Sequence, residues 1–293
     1  MGPPPRSGPA LGRVPAPVLF VASGLTQYLG AALAVGLFSA LVPAAVAWLR
    51  ITVAAVVLLG WRRPWRARWS ARDLAGVAAF GVVLAAMNVA FYIAIGRLPL
   101  GTAVAIEFIG PISVAAITGR HRRERVGIAL ATAGVLLLAG TTLTGAGGPD
   151  VAVGLVAIAV AAACWAGYIA LGRRVAMRGS GVSSLAVAMT AGAVVFAPFL
   201  AASAAPVLAD WRLGLAVLGV AVLSSVIPYA IEQVVLRRVS AATFAVLLAM
   251  LPVTAALVGA VALHQVPTPL EILGLGAVSA AIALTSTRPS RFR

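Results

Sequence analysis

Ten apolar runs, each close to 20 residues, recur along this 293-residue chain, and their recurrence limits the possible folds more than any other feature. They lie at about 18–38, 41–60, 74–96, 100–119, 126–143, 151–172, 182–203, 213–236, 240–262 and 269–287. An α-helix rises about 1.5 Å per residue, so about 20 apolar residues cross the roughly 30 Å of bilayer hydrocarbon. The chain is 62% hydrophobic and 10% charged, with a mean hydropathy of +1.06. A water-soluble domain is nearer a quarter charged. The expected fold class is therefore an all-α membrane protein with ten transmembrane helices.

All 22 basic residues are arginine, and they set the expected orientation. With both termini in the cytoplasm, the inner segments hold Arg6 and Arg13, the run from Arg62 to Arg72, Arg120 to Arg125, Arg173 to Arg178, Arg237 and Arg238, and Arg288 to Arg293. These number 19, against two (Arg97 and Arg212) outside, with Arg50 inside a span. That asymmetry follows the positive-inside rule, and an odd number of spans would spoil it. Trp61, Trp65 and Trp69 among the inner arginines, and Trp211 outside, read as interfacial anchors. The formal charge of +15 thus belongs to short loops facing anionic lipid, not to a nucleic-acid surface.

The composition also excludes function classes. A single cysteine, Cys164, gives no disulfide framework, and His121 and His264 lie far apart in sequence, so no metal is expected. There is no P-loop and no dinucleotide fingerprint, so no cofactor is expected and ATP-driven pumping has no support. No histidine lies in a span and no carboxylates are paired, which argues against an enzyme. Residues 1–17, rich in Pro and Gly, read as a disordered cytoplasmic tail, and 288–293 as a second tail. The run at 18–38 is long for a signal peptide and more spans follow, so it reads as an uncleaved first helix.

The chain looks doubled. A shift of 141 residues lays Arg97-Leu98 on Arg238-Val239, Thr102 on Thr243 and Pro111 on Pro252. Five spans per half, 18–145 and 151–287, force the second half to lie inverted relative to the first. Inverted repeats meeting at the bilayer midplane are a transporter architecture.

The run Arg97-Leu98-Pro99-Leu100-Gly101-Thr102-Ala103-Val104-Ala105-Ile106-Glu107-Phe108-Ile109-Gly110-Pro111 resembles the third-to-fourth helix junction of the bacterial threonine/homoserine exporter group. That group belongs to the EamA type of the drug/metabolite transporter superfamily. Matching pieces are Ala162-Ala163-Cys164-Trp165-Ala166-Gly167-Tyr168-Ile169, Leu223-Ser224-Ser225-Val226-Ile227-Pro228-Tyr229 with Glu232, and Thr243-Phe244 through Met250-Leu251-Pro252. The resemblance implies ten helices in two inverted five-helix repeats, a bacterial inner-membrane location and efflux of amino acids or related metabolites. The chain departs from the group's pattern at Leu251, where relatives carry Glu, and at His264-Gln265, where they carry Gly-Glu.

Charges inside spans are the sharpest site signal. A charge near a helix centre costs about 2.5–3.5 kcal/mol on insertion scales, about as much as all the apolar residues of the fourth span return. Glu107 must therefore face protein or water. Counted from the outer ends of their spans, Arg50 lies about 10 Å deep and Glu107 about 9 Å, at about 1.5 Å per residue. The two form either a solute or proton site or a structural ion pair. Glu232 shares a helix face with Tyr229 and Ser225. It belongs either to the site or to the inner interface beside Arg237. Gln27, Asn88 with Tyr92, and Trp165 with Tyr168 are candidate cavity lining, or else interhelical hydrogen bonds. Pro111, Pro198, Pro228 and Pro252 lie inside spans, where each removes a backbone donor and frees a carbonyl.

These features point to a secondary transporter for a small polar solute, working by alternating access, with protons as the candidate coupling ion and membrane lipid as its surroundings. The alternative is a channel or a non-transporting membrane scaffold. Saturable counterflow separates the first from the second.

Overall fold

The computed structural model describes residues 14–66, 69–118, 122–145, 148–176, 181–228, 231, 235, 239 and 247–286. Every regular element among them is helical. The main helices are α1 (Ala16–Gly36), α2 (Pro43–Arg62), α3 (Ala71–Ile95), α4 (Leu100–Glu107), α5 (Ile109–Thr118), α6 (Arg122–Gly145), α7 (Pro149–Ala176), α8 (Gly181–Leu200), α9 (Pro206–Ala209), α10 (Trp211–Ala221), α11 (Leu251–Ala262) and α12 (Pro269–Ser286). A π-helical turn, Val222–Val226, continues α10.

Proline starts many of these helices. Pro43, Pro149, Pro206 and Pro269 are first residues, and Pro17 and Pro252 second. The missing N–H is harmless in a first turn, where no intrahelical acceptor exists. Polar caps open others. Ser70 accepts from the Asp73 N–H at 3.1 Å, and Asp210 accepts from the Arg212 N–H at 2.8 Å. Thr268 and Glu271 form a reciprocal capping box ahead of α12, with bonds of 2.7 and 3.3 Å. The first helix starts at Ala16, inside the stretch expected to be tail.

Among the described residues, six helical stretches are long and apolar enough to cross a bilayer alone: Ala16–Ser39, Pro43–Trp61, Ala71–Ile95, Arg125–Thr144, Pro149–Leu171 and Ser183–Leu200. A seventh is reached if Ala202–Ala209 and Trp211–Val226, bent 115° at Asp210, count as one. The expected fourth, ninth and tenth spans correspond to the shorter apolar helices Leu100–Val114, Leu251–Ala262 and Pro269–Thr285. The fourth is interrupted at Phe108, between α4 and α5. Pro111 has no N–H for the Glu107 carbonyl four residues earlier, and its ring crowds that carbonyl. The break falls where that bond would have been.

In lipid there is little hydrophobic drive between helices, so close packing of small residues has to hold them. Helix α3 packs on α7 and α8, α2 on α8, α6 on α12, and α1 and α4 on α11. A Cβ at Gly81 of α3 would collide with the Ala188 carbonyl of α8, and one at Gly192 would come within 2.7 Å of the Gly81 carbonyl. Trp48 of α2 adds a 2.7 Å hydrogen bond to the Ala193 carbonyl of α8. Gly134 of α6 and Gly274 of α12 face each other: a Cβ on either would lie 2.8 or 3.0 Å from the other's carbonyl oxygen. Trp61, Trp65 and Trp211 are 65–70% exposed, as interfacial anchors should be, whereas Trp69 turns back to donate to the Pro64 carbonyl at 2.9 Å.

Two non-glycine residues among those described take positive φ: Arg63, at 46° where α2 ends, and His264. His264, after α11, has φ 58°, the left-handed region that glycine enters without penalty. His264→Gly should stabilise the purified protein by about 0.5–1 kcal/mol, the left-handed cost less glycine's extra chain entropy. A rise in thermal midpoint checks this, and a fall would mean that the imidazole makes a contact worth more than the strain.

Candidate solute site

Arg50 projects from the middle of α2, and its guanidinium is held on three sides. Nε donates to Ser225 Oγ at 2.9 Å, Nη1 to the Tyr92 hydroxyl at 3.2 Å, and Nη2 to the Ser224 carbonyl at 3.3 Å. Its carbon also sits 5.5 Å from the Tyr92 ring centroid, within cation–π range. Tyr92 is fully buried, with Phe38 and Phe91 edge-on at 6.3 and 6.0 Å. No Asp or Glu among the described residues lies within ion-pair reach of Arg50.

Pro228 has no N–H to offer the Ser224 carbonyl four residues earlier. The same stretch is wound as a π turn, a distortion frequent at functional sites. Ser224 Oγ donates to the Gln27 carbonyl of α1 at 3.4 Å, and Ser23 Oγ to the Pro228 carbonyl at 3.4 Å. Gly30 makes the approach possible, since a Cβ there would strike Ser224 Oγ and lie 2.9 Å from its nitrogen.

Glu107 is the last residue of α4, 9% exposed, at the break made by Pro111. It makes no ion pair with Arg50, whose Nε, Nη1 and Nη2 each give one N–H to Ser225, Tyr92 and the Ser224 carbonyl, which leaves one further N–H on each Nη. Beside it, Phe108 packs on Trp165 at 4.8 Å.

The structure thus groups the Gln27 carbonyl, Arg50 and Tyr92 with Ser224 and Ser225, while Glu107 precedes Phe108, which packs on Trp165. Asn88 turns its amide back on its own helix, donating to the Leu84 carbonyl at 2.8 Å. Tyr168 stacks on Phe80 at 4.6 Å. Tyr229 and Glu232 lie outside the described residues. Ser224 was not among the expected site residues. Its signal was the spacing Ser224-x-x-x-Pro228, which removes the N–H four residues on from the Ser224 carbonyl.

A model of the EamA-like transporter family matches residues 152–287. The threonine/homoserine exporter RhtA of Escherichia coli strain K12 is 35% identical over 272 residues, covering 92% of this chain and 90% of the relative. The chain belongs to the EamA-like transporter family. RhtA of Salmonella typhimurium strain LT2 is 34% identical over 276 residues, with the same coverage. A crystal structure at 22% identity superposes with a TM-score of 0.58, covering 92% of this chain and 95% of the other, so the fold is one already seen. As an EamA-type chain this protein is a multi-pass membrane transporter and not an enzyme.

Proposed function

We propose that this EamA-type protein exports small zwitterionic amino acids across the bacterial inner membrane by alternating access. The observation that carries the reading is a pair of opposite charges within apolar helices that do not neutralise each other: among the described residues Arg50 has no acidic partner and Glu107 no basic one within ion-pair reach. Charges in the membrane interior are costly and mark solute pathways. Two of them held apart suit a molecule carrying both signs. Arg50, oriented by Tyr92 and Ser225, would take the carboxylate, since its planar fork matches two oxygens. Glu107 would take the ammonium group, and a proton in exchange once the solute has left. Gln27, Asn88, Trp165, Tyr168, Tyr229 and Glu232 complete the proposed lining. The names of the relatives, threonine/homoserine exporters, support the solute class.

Ten spans in two inverted halves, with both ends in the cytoplasm, are the architecture proposed for this cycle. Helix pairing supports it. Helix α1 on α10 is the counterpart of α7 on α3, α1 on α11 the counterpart of α7 on α4 and α5, and α2 on α8 and α6 on α12 pair each helix with its own equivalent. Such halves can rock about a central site.

Glu107→Gln should cut saturable counterflow of labelled threonine in proteoliposomes by about tenfold or more, the worth of one lost charge-assisted hydrogen bond. It should also abolish the response of export to an imposed proton gradient. Unchanged flux with an unchanged gradient response would remove Glu107 from the site.

A further inference from the structure

We propose that residues 263–268, between α11 and α12, form the outer gate of the transport path, latched shut by Gln265 on the first turn of α4. The word outer rests on the orientation proposed above.

Gln265 Oε1 accepts the Leu100 N–H at 2.9 Å, across 165 residues of chain. Leu100 is the first residue of α4, and a first-turn N–H has no acceptor within its own helix. The glutamine side chain therefore supplies from a distant loop what a capping residue would supply locally. Its placement is prepared on three sides. The Gln265 N–H donates to the Gly259 carbonyl at 3.0 Å, folding the loop back over the end of α11. A Cβ at Gly259 would come within 3.1 Å of Gln265 Oε1, so glycine leaves the room in which the side chain lies. Next to Leu100, Gly101 packs on Ala256 of α11, with no room for a Cβ within 2.7 Å.

Behind the latch lies a cavity of about 280 Å³ whose walls include Thr102, His264, Gln265 and Glu271. It has room for several water molecules and offers polar groups to hold them. Thr102 lies on the outer turn of α4 and Glu107 ends the same helix, about 8 Å deeper at about 1.5 Å per residue. The cavity is thus placed as the vestibule between the solute site and the outer surface. The strap has a defined pivot at each end: His264 in the left-handed conformation and the Thr268–Glu271 capping box. One neutral hydrogen bond shifts an equilibrium by about tenfold, small enough for a gate to open in each cycle.

The test is cysteine accessibility in proteoliposomes of the full chain carrying Cys164→Ser, with a membrane-impermeant thiol reagent added outside. Thr102→Cys, 3% exposed in the closed arrangement, should react slowly. Adding Gln265→Ala should speed its labelling by about tenfold, the worth of the lost bond. Adding Gln265→Glu, which keeps an acceptor oxygen at the helix start, should leave it slow. Val266→Cys, at an 80% exposed position in the same loop, reports the orientation and should label from outside in every background. Equal Thr102→Cys rates with Gln265→Ala and with the parent glutamine, while Val266→Cys labels, overturn the latch alone. Failure of Val266→Cys to label from outside overturns the orientation and the outer gate with it. Neither result bears on the Glu107 flux assay.

Discussion

Arg50→Lys should lower threonine counterflow by about a hundredfold, although it keeps the charge. Lysine would place one ammonium where the guanidinium now spans three acceptors: Ser225 Oγ, the Tyr92 hydroxyl and the Ser224 carbonyl. A point charge cannot span those anchors and also present a fork to a carboxylate. Two charge-assisted hydrogen bonds lost to the solute amount to about 3 kcal/mol, or about a hundredfold. The Ser224 carbonyl adds to the penalty, because it would lose the donor that Nη2 supplies. The assay is initial-rate counterflow at matched protein density. A lysine variant within threefold of the parent would show that Arg50 contributes only charge, and the carboxylate receptor would have to be sought elsewhere.

The second large effect is on folding. Gly81→Val should destabilise the protein by about 3 kcal/mol or more, read as a lower thermal midpoint and a poorer yield of monodisperse protein. The first atom of the new side chain would overlap the Ala188 carbonyl, and backbone cannot swing aside as a flexible side chain can. Helices α3 and α8 would have to part, and Trp48 would lose its registry with the Ala193 carbonyl. Gly76→Val on the same helix is the control: nothing lies within 4 Å of its added Cβ, so it should be close to neutral. Similar midpoints for the two variants would mean that the α3–α8 crossing yields more readily than its geometry implies.

What could be read from the residues divides along physical lines. Helix existence was legible because hydrocarbon thickness sets a length and proline marks the starts; Pro43, Pro149 and Pro269 each stand first in a helix. Glu107 and Arg50 stood out in the residues as costly charges within apolar runs, and the depth expected of each came from helical rise alone. Their partners were not legible. Arg50 is anchored by Ser224 and Ser225 from the other half of the chain, 174 and 175 residues away. No local pattern encodes which face of α10 turns toward α2. Depth constrains only one coordinate, so two groups expected at one level can still point at different neighbours, as Glu107 and Arg50 do. The break at Phe108 was half legible: Pro111 signalled a disturbed helix, but whether it bends or interrupts depends on what packs around it. Gln265 was noted only as a departure at the end of the ninth span. Its reach to Leu100 depends on a loop path that the residues alone do not specify.

The glycine seam between α6 and α12 bears on how such a molecule can move. Where Gly134 and Gly274 meet, two backbones touch without side chains between them. Interlocked side chains act like gear teeth and resist rotation, whereas two bare backbones form a bearing. Slippage along the axis is opposed by Leu138 and Val278, which wedge beside the contact. Under the alternating access proposed above, two helices packed this closely would move as one post, around which the charge-bearing helices swing.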